Sequence, residues 1–136
     1  LFNYVGKETK LIVPQNYNGE KYIISTYAFN NCESLTSVTI SDGVSNIGEY
    51  AFHNCRYLNS VVLSKRVTSI ANSAFALSYL QNVYYEGTAN DWKKISFTGN
   101  YGESTLGKAT RYYYSESKPT GSGNYWHYVD GEIVVW

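Results

Sequence analysis

Between residues 24 and 85 one stretch of about 23 residues is written nearly three times, and this periodicity constrains the fold more than any other feature of the chain. Ile24, Ala28, Phe29, Cys32, Leu35, Val38 and Ile40 return 23 positions later as Ile47, Ala51, Phe52, Cys55, Leu58, Val61 and Leu63. A third copy keeps Ile70, Ala74 and Phe75, drops one residue between Ala76 and Tyr79, and resumes at Leu80, Val83 and Tyr85. Self-similarity at this period marks a solenoid, in which each copy is one coil that buries its apolar face only against its neighbours.

Within each copy, alternation directs Val38 and Ile40 inward together with Val61, Leu63, Val83 and Tyr85, and the residues between them outward. Stacked coils then form a parallel sheet. Ala28, Ala51 and Ala74 leave room for the adjacent rings of Phe29, Phe52 and Phe75, which predicts a phenylalanine spine through the core. Residues 2–23 read as a divergent first coil. There Lys10-Leu-Ile-Val-Pro14 has the alternation of a strand ended by proline, and Asn18-Gly19 supplies turn chemistry.

After Tyr85 the period stops. Thr88, with Asp91 three residues on, is a capping pair, and Trp92 and Ile95 share one apolar stripe, so residues 89–95 read as a short helix. Residues 98–108 are polar and read as loop, residues 111–115 as a tyrosine-rich strand, and residues 116–124 as an exposed connection. The end is a hairpin turned by Asp130-Gly131, pairing Val129 with Glu132, Tyr128 with Ile133 and Trp126 with Val135. Its apolar face of Trp126, Tyr128, Ile133 and Val135 is expected to sit on the last coil or on Trp92. The other face carries Tyr125, His127, Val129, Glu132, Val134 and Trp136.

The Leu-x-x-Val-x-Ile core formed by Leu35, Val38 and Ile40 matches leucine-rich-repeat spacing. The fuller wording, as in Val44-Ser-Asn-Ile-Gly-Glu-Tyr-Ala-Phe-His-Asn-Cys-Arg-Tyr-Leu58, resembles the BspA-like surface-antigen leucine-rich repeats of bacteria. Their consensus carries Ile-Gly, Ala-Phe, Asn-Cys and Leu-x-x-Val-x-Ile at these offsets. The likeness extends weakly to the first coil and to the tail, where Asp91-Trp92 and residues 111–115 and 125–136 look like the carboxy-terminal cap of such proteins.

This resemblance implies a mainly β fold: a right-handed leucine-rich-repeat solenoid of about four coils with a parallel sheet, closed by a helix and a β-hairpin. The expected organisation is a single domain over 1–136, with a divergent first coil (1–23), three regular repeats (24–86) and a C-terminal cap (87–136). It also implies a cell-surface or secreted protein that acts as a non-catalytic adhesion module toward an extracellular protein or glycan. The reading set against it is a spacer or end-cap of a longer surface protein with no ligand of its own; a concave face closed by the first coil or the tail would favour that reading.

Composition narrows the partners. At 136 residues the chain fits one domain, and 11 basic residues balance 11 acidic ones, so no basic face is dedicated to a nucleic acid or an anionic membrane. No apolar run reaches the 18 residues of a membrane span, and the amino terminus has neither a basic n-region nor an apolar h-region. Export is therefore expected from the resemblance alone. A chain with no Met that begins at Leu1 in an incomplete coil reads as a piece of a longer protein, with further repeats or domains missing.

Neither a cofactor nor a metal is expected. Cys32 and Cys55 occupy equivalent places in successive coils, within disulfide range, but they recur with the apolar repeat and the third coil dispenses with them, which favours reduced, buried thiols. His53 and His127 lack zinc spacing and lack a nucleophile elbow, and no acidic residues form a recognisable pair. A small hydrolase grafted on the cap would need a cleft where such groups converge.

The best candidate site is geometric. Outward positions of a solenoid's parallel sheet line its concave binding surface. The central row is Ile12, Thr39, Val62 and Tyr84, beside Lys10, Ser37, Ser60 and Asn82. The expected ligand contacts are thus Ile12, Thr39, Val62 and Tyr84, with Ser37, Ser60 and Asn82 as hydrogen-bonding neighbours. The central row is more apolar than a sheet face in water requires, a property that β-propensity alone also explains.

Overall fold

The computed structural model describes residues 6–99 and 104–136. Each copy of the repeat contributes two short strands, one on either side of the apolar interior. Strands β1 (Lys10–Ile12), β3 (Ser37–Ile40), β5 (Ser60–Leu63) and β7 (Asn82–Tyr85) stack in parallel, in register, as rungs of one sheet. Strands β2 (Tyr22–Ile24), β4 (Val44–Ile47), β6 (Ser69–Ala71) and β8 (Ser96–Thr98) stack as a second parallel sheet. Among the described residues helices are few: α1 (Ala89–Trp92) and α2 (Ser104–Lys108). The long sheet continues through β9 (Thr110–Tyr114), β10 (Tyr125–Val129) and β11 (Glu132–Val135), giving seven strands in the order β1-β3-β5-β7-β9-β10-β11. The chain is therefore a mainly β solenoid of about four turns.

The repeated residues fill its centre. Ile24, Leu35, Ile40, Ile47, Leu58, Leu63 and Ile70 are buried, as are the three alanines beside the phenylalanines. The rings of Phe29, Phe52 and Phe75 stack with centroids 4.9 and 5.1 Å apart and nearly parallel planes, the spacing of strands in a sheet. The backbone beside them is laddered as well. Phe29 N–H donates to Ala51 C=O and Phe52 N–H to Ala74 C=O, both at 2.7 Å, so that even the turns are paired coil to coil. Cys32 and Cys55 are buried and form no disulfide. The Cys55 thiol donates to the Phe29 carbonyl at 3.1 Å, and burial pushes its pKa up to about 12.

A second ladder runs along an outer turn. Asn31 (φ 59°) and Asn54 (φ 56°) adopt the left-handed conformation that asparagine tolerates best, and the Asn54 amide donates to Asn31 Oδ1 at 2.7 Å. In the third copy the same place is held by Leu77 (φ 57°), a residue that gains nothing from that conformation and is 64% exposed.

Four features differ from the sequence expectation. The second sheet is absent from it, because its strands are only three or four residues long and do not alternate cleanly, as in Val44-Ser-Asn-Ile47, which is buried at both ends. Residues 87–114, read as the start of the cap, add rungs to both sheets through β8 and β9. The stretch read as loop over 98–108 contains α2, held by the buried Leu106, a single apolar anchor too isolated to create a period. Helix α1 is shorter than 89–95, although the Thr88–Asp91 capping box is complete and Trp92 and Ile95 are both buried. The Asp130-Gly131 hairpin has the expected register, with both turn residues at positive φ.

Two substitutions test this packing. Phe52→Ala should cost about 3–5 kcal/mol in denaturant unfolding, because the cavity lies between two coils held apart by their own hydrogen bonds. Leu77→Asn should instead raise stability by about 1 kcal/mol, seen as a higher melting temperature, by relieving the left-handed leucine and extending the asparagine ladder.

Candidate functional site

The registers line up two outward rows on the long sheet: Lys10, Ser37, Ser60, Asn82 and Thr110, and beside it Ile12, Thr39, Val62, Tyr84 and Tyr112. Side-chain parity continues into the tail. Tyr84 pairs with Tyr112, Tyr114 stands two residues on, and Trp126 pairs with Tyr114, so Trp126 falls on the outward face of the sheet. It is fully buried there. Its indole N–H donates to the Tyr85 carbonyl at 3.0 Å, and its ring meets the edges or faces of Tyr84, Tyr114 and Tyr128 at centroid distances of 5.7, 5.3 and 4.8 Å. Trp126 thus seats the hairpin on the last coil and not on Trp92, while Tyr128, Ile133 and Val135 of the same apolar face stay exposed. Trp92 lies on the other side, edge-on to Tyr85 at 5.2 Å, with the Arg111 guanidinium 4.1 Å above its ring.

Curling back in this way, the hairpin walls a trough of about 420 Å³ over the first three rungs of the sheet. The floor is Lys10, Ile12, Ser37, Thr39, Ser60 and Val62, and the wall carries Tyr128, Glu132 and Ile133. Five of the seven residues singled out from the sequence line it. Ile12 is 73% exposed and Val62 only 6%, so the floor passes from open to covered along its length. Tyr84 and Asn82 lie outside the trough: Tyr84 stacks on Tyr112 at 5.1 Å and is overlain by Trp126. Tyr128, Glu132 and Ile133 are the residues that sequence reasoning missed. Their hairpin pattern was readable, but which face it would cover depends on how β10 joins β9 across the connection at 116–124.

The wall is latched at one point. The Tyr128 hydroxyl donates to Glu86 Oε1 at 3.1 Å, and Glu86 directly follows strand β7. Burial raises the Glu86 pKa, the Tyr128 bond lowers it, and Asp42 raises it further against Lys65. Burial, then the Glu86 carboxylate, pushes the Tyr128 phenol upward. Asp42 itself accepts from the buried Ser64 hydroxyl at 2.5 Å. Among the described residues no three His, Cys, Asp or Glu side chains converge as a metal site. His53 Nδ1 lies 3.0 Å from Asn30 Oδ1 at the outer turn, and His127 packs on Trp136 with centroids 3.7 Å apart.

Coils of this length, stacked through a parallel sheet and carrying Leu-x-x-Val-x-Ile in register, define a leucine-rich-repeat solenoid. The family model for the BspA type leucine rich repeat region, built of six copies, matches residues 2–107, and the chain belongs to that family. A solved structure it resembles is a leucine rich cell surface protein from Faecalibacterium prausnitzii A2-165, at 21% identity and a TM-score of 0.40. The match covers 68% of this chain and 36% of that one, so the chain spans about a third of the length of that protein. No curated protein matches it.

Glu86 makes the latch testable through pH. Its folded pKa is raised above the unfolded value, so the folded state holds the proton more tightly, and stability is greatest below the usual carboxylate range and lost as pH rises through the raised value. Glu86→Gln keeps an acceptor for Tyr128 and removes the charge. Its melting temperature should therefore gain on that of the parent protein as pH is raised from about 4 to about 7.

Proposed function

We propose that the chain is a non-catalytic binding module of a cell-surface or secreted leucine-rich-repeat protein, taking an extracellular protein or glycan on the outward face of its long sheet. The observation that carries this reading is the trough, in which Ile12, Ser37, Thr39, Ser60 and Val62 share one concavity with hairpin residues. Its volume lies within the range of small-ligand clefts, and its lining mixes apolar surface with a few hydroxyls, as binding sites do. Tyr84 and Asn82, beyond the covered end of the trough, contribute by supporting its floor. Membership in a surface-antigen repeat family agrees with this role, and no helix among the described residues is long and apolar enough to cross a membrane.

One observation favours a second reading. Trp126 covers Tyr84, and Val62 is nearly buried, so the tail closes part of the concave face, as it would in an end-cap whose task is to finish the solenoid and present its neighbours.

Binding of the folded chain to immobilised matrix proteins and glycans, beside Ile12→Asp, separates the two. Ile12 is exposed, so the variant should keep the parent melting temperature while binding falls by at least tenfold. Binding that survives Ile12→Asp but is lost in a Trp136→Ala variant moves the site to the hairpin's other face; no binding to any partner leaves the end-cap reading.

A further inference from the structure

We propose that the trough takes an uncharged, β-linked glycan chain laid along the solenoid axis. The inference rests on the binding-module reading above and names the ligand class for that site.

The lining mixes two chemistries. Ser37, Thr39, Ser60 and Asn59 offer hydroxyl and amide groups, while Ile12, Ile133 and the ring of Tyr128 offer apolar surface. A pyranose carries the same division, hydroxyls around its rim and apolar C–H faces above and below. Charge argues in the same direction. Among the described residues, Lys10 and Glu132 are the charged groups that line the trough, one of each sign, so a polyanion or polycation would meet no complementary row.

The floor also disfavours a peptide. Peptides that add to sheets draw affinity from unpaired backbone groups at an edge. Here the floor is the face of the sheet: β3 and β5 have neighbours on both sides, and the edge strand β1 has its free side along the solenoid axis and not toward the trough, so the floor offers no unpaired N–H or C=O groups to a chain lying on it. Spacing sets the length of the site. Adjacent rungs stand about 4.8 Å apart, so successive sugars of an extended β-linked chain, alternating in face, fall near successive rungs. The trough spans rungs β1, β3 and β5, beyond which Trp126 lies over Tyr84, so the site has length for about three sugar units.

Titration calorimetry with cello-, chito-, xylo- and laminari-oligosaccharides of two to six units tests this, with a heparin hexasaccharide and immobilised matrix proteins as the other arms. At least one neutral series should bind, with affinity rising about tenfold from two units to three or four and levelling thereafter. A Ser37→Ala, Ser60→Ala double variant with an unchanged melting temperature should weaken that series at least tenfold, and Ile12→Asp likewise. Binding without a length plateau, or indifferent to these substitutions, overturns the proposal, as does preference for heparin. If no neutral series binds while a matrix protein binds and is lost in Ile12→Asp, the glycan class falls and the binding-module reading stands; if neither binds, both fall.

Discussion

Everything in this molecule depends on coils stacking in register at the spacing of a parallel sheet. The phenylalanine rings repeat at 4.9 and 5.1 Å because the strands beside them repeat at that distance, and the turn amides of one coil donate to the carbonyls of the next for the same reason. No single coil could bury Phe52 or satisfy its own turns, so stability resides between neighbours. The register is strict where it is buried and lenient where it is not. The residue missing from the third copy is lost at the turn containing the exposed Leu77 and Tyr79, while Ser60 still faces Asn82 and Leu63 still faces Tyr85 across the sheet.

The ends of a stack of coils carry unpaired backbone and open core, and here aromatic residues pack against the last of the described coils. On the inner side Tyr85, Trp92, Tyr113 and Arg111 close the core. On the outer side Trp126 occupies a fully buried place among Tyr84, Tyr114 and Tyr128. The candidate site is a consequence of that closure. Because β10 joins the sheet in parallel and β11 returns antiparallel to it, the hairpin also overhangs the rungs behind it and turns a flat face into a trough.

This arrangement explains how one surface can carry the two readings considered for it. The part from Val62 to Tyr84 is covered, whereas the part around Ile12, Ser37 and Thr39 is more open and mixes apolar and hydroxyl groups. The tyrosines nearest the hairpin divide in the same way: Tyr85 and Tyr113 pack on the core side, and Tyr84, Tyr112 and Tyr128 build the wall and its support.

Much of the fold was legible because a repeat multiplies each weak local signal. The inward positions from Val38 to Tyr85, the phenylalanine spine, the thiol places and the Asp130-Gly131 register each followed from period and parity. The second sheet and α2 were not legible, since strands of three or four residues and a helix held by Leu106 alone are too short to display a period. Five floor residues of the trough could be named from alternation, but its wall could not. Sequence by itself determined which side chains share a face, because that depends only on backbone geometry within a strand and on the 23-residue spacing between strands. Tertiary structure alone decided that Tyr128, Glu132 and Ile133 stand over Ile12 and Ser60, because their meeting depends on the path of residues 116–124 and the curl of the sheet, which no local pattern encodes.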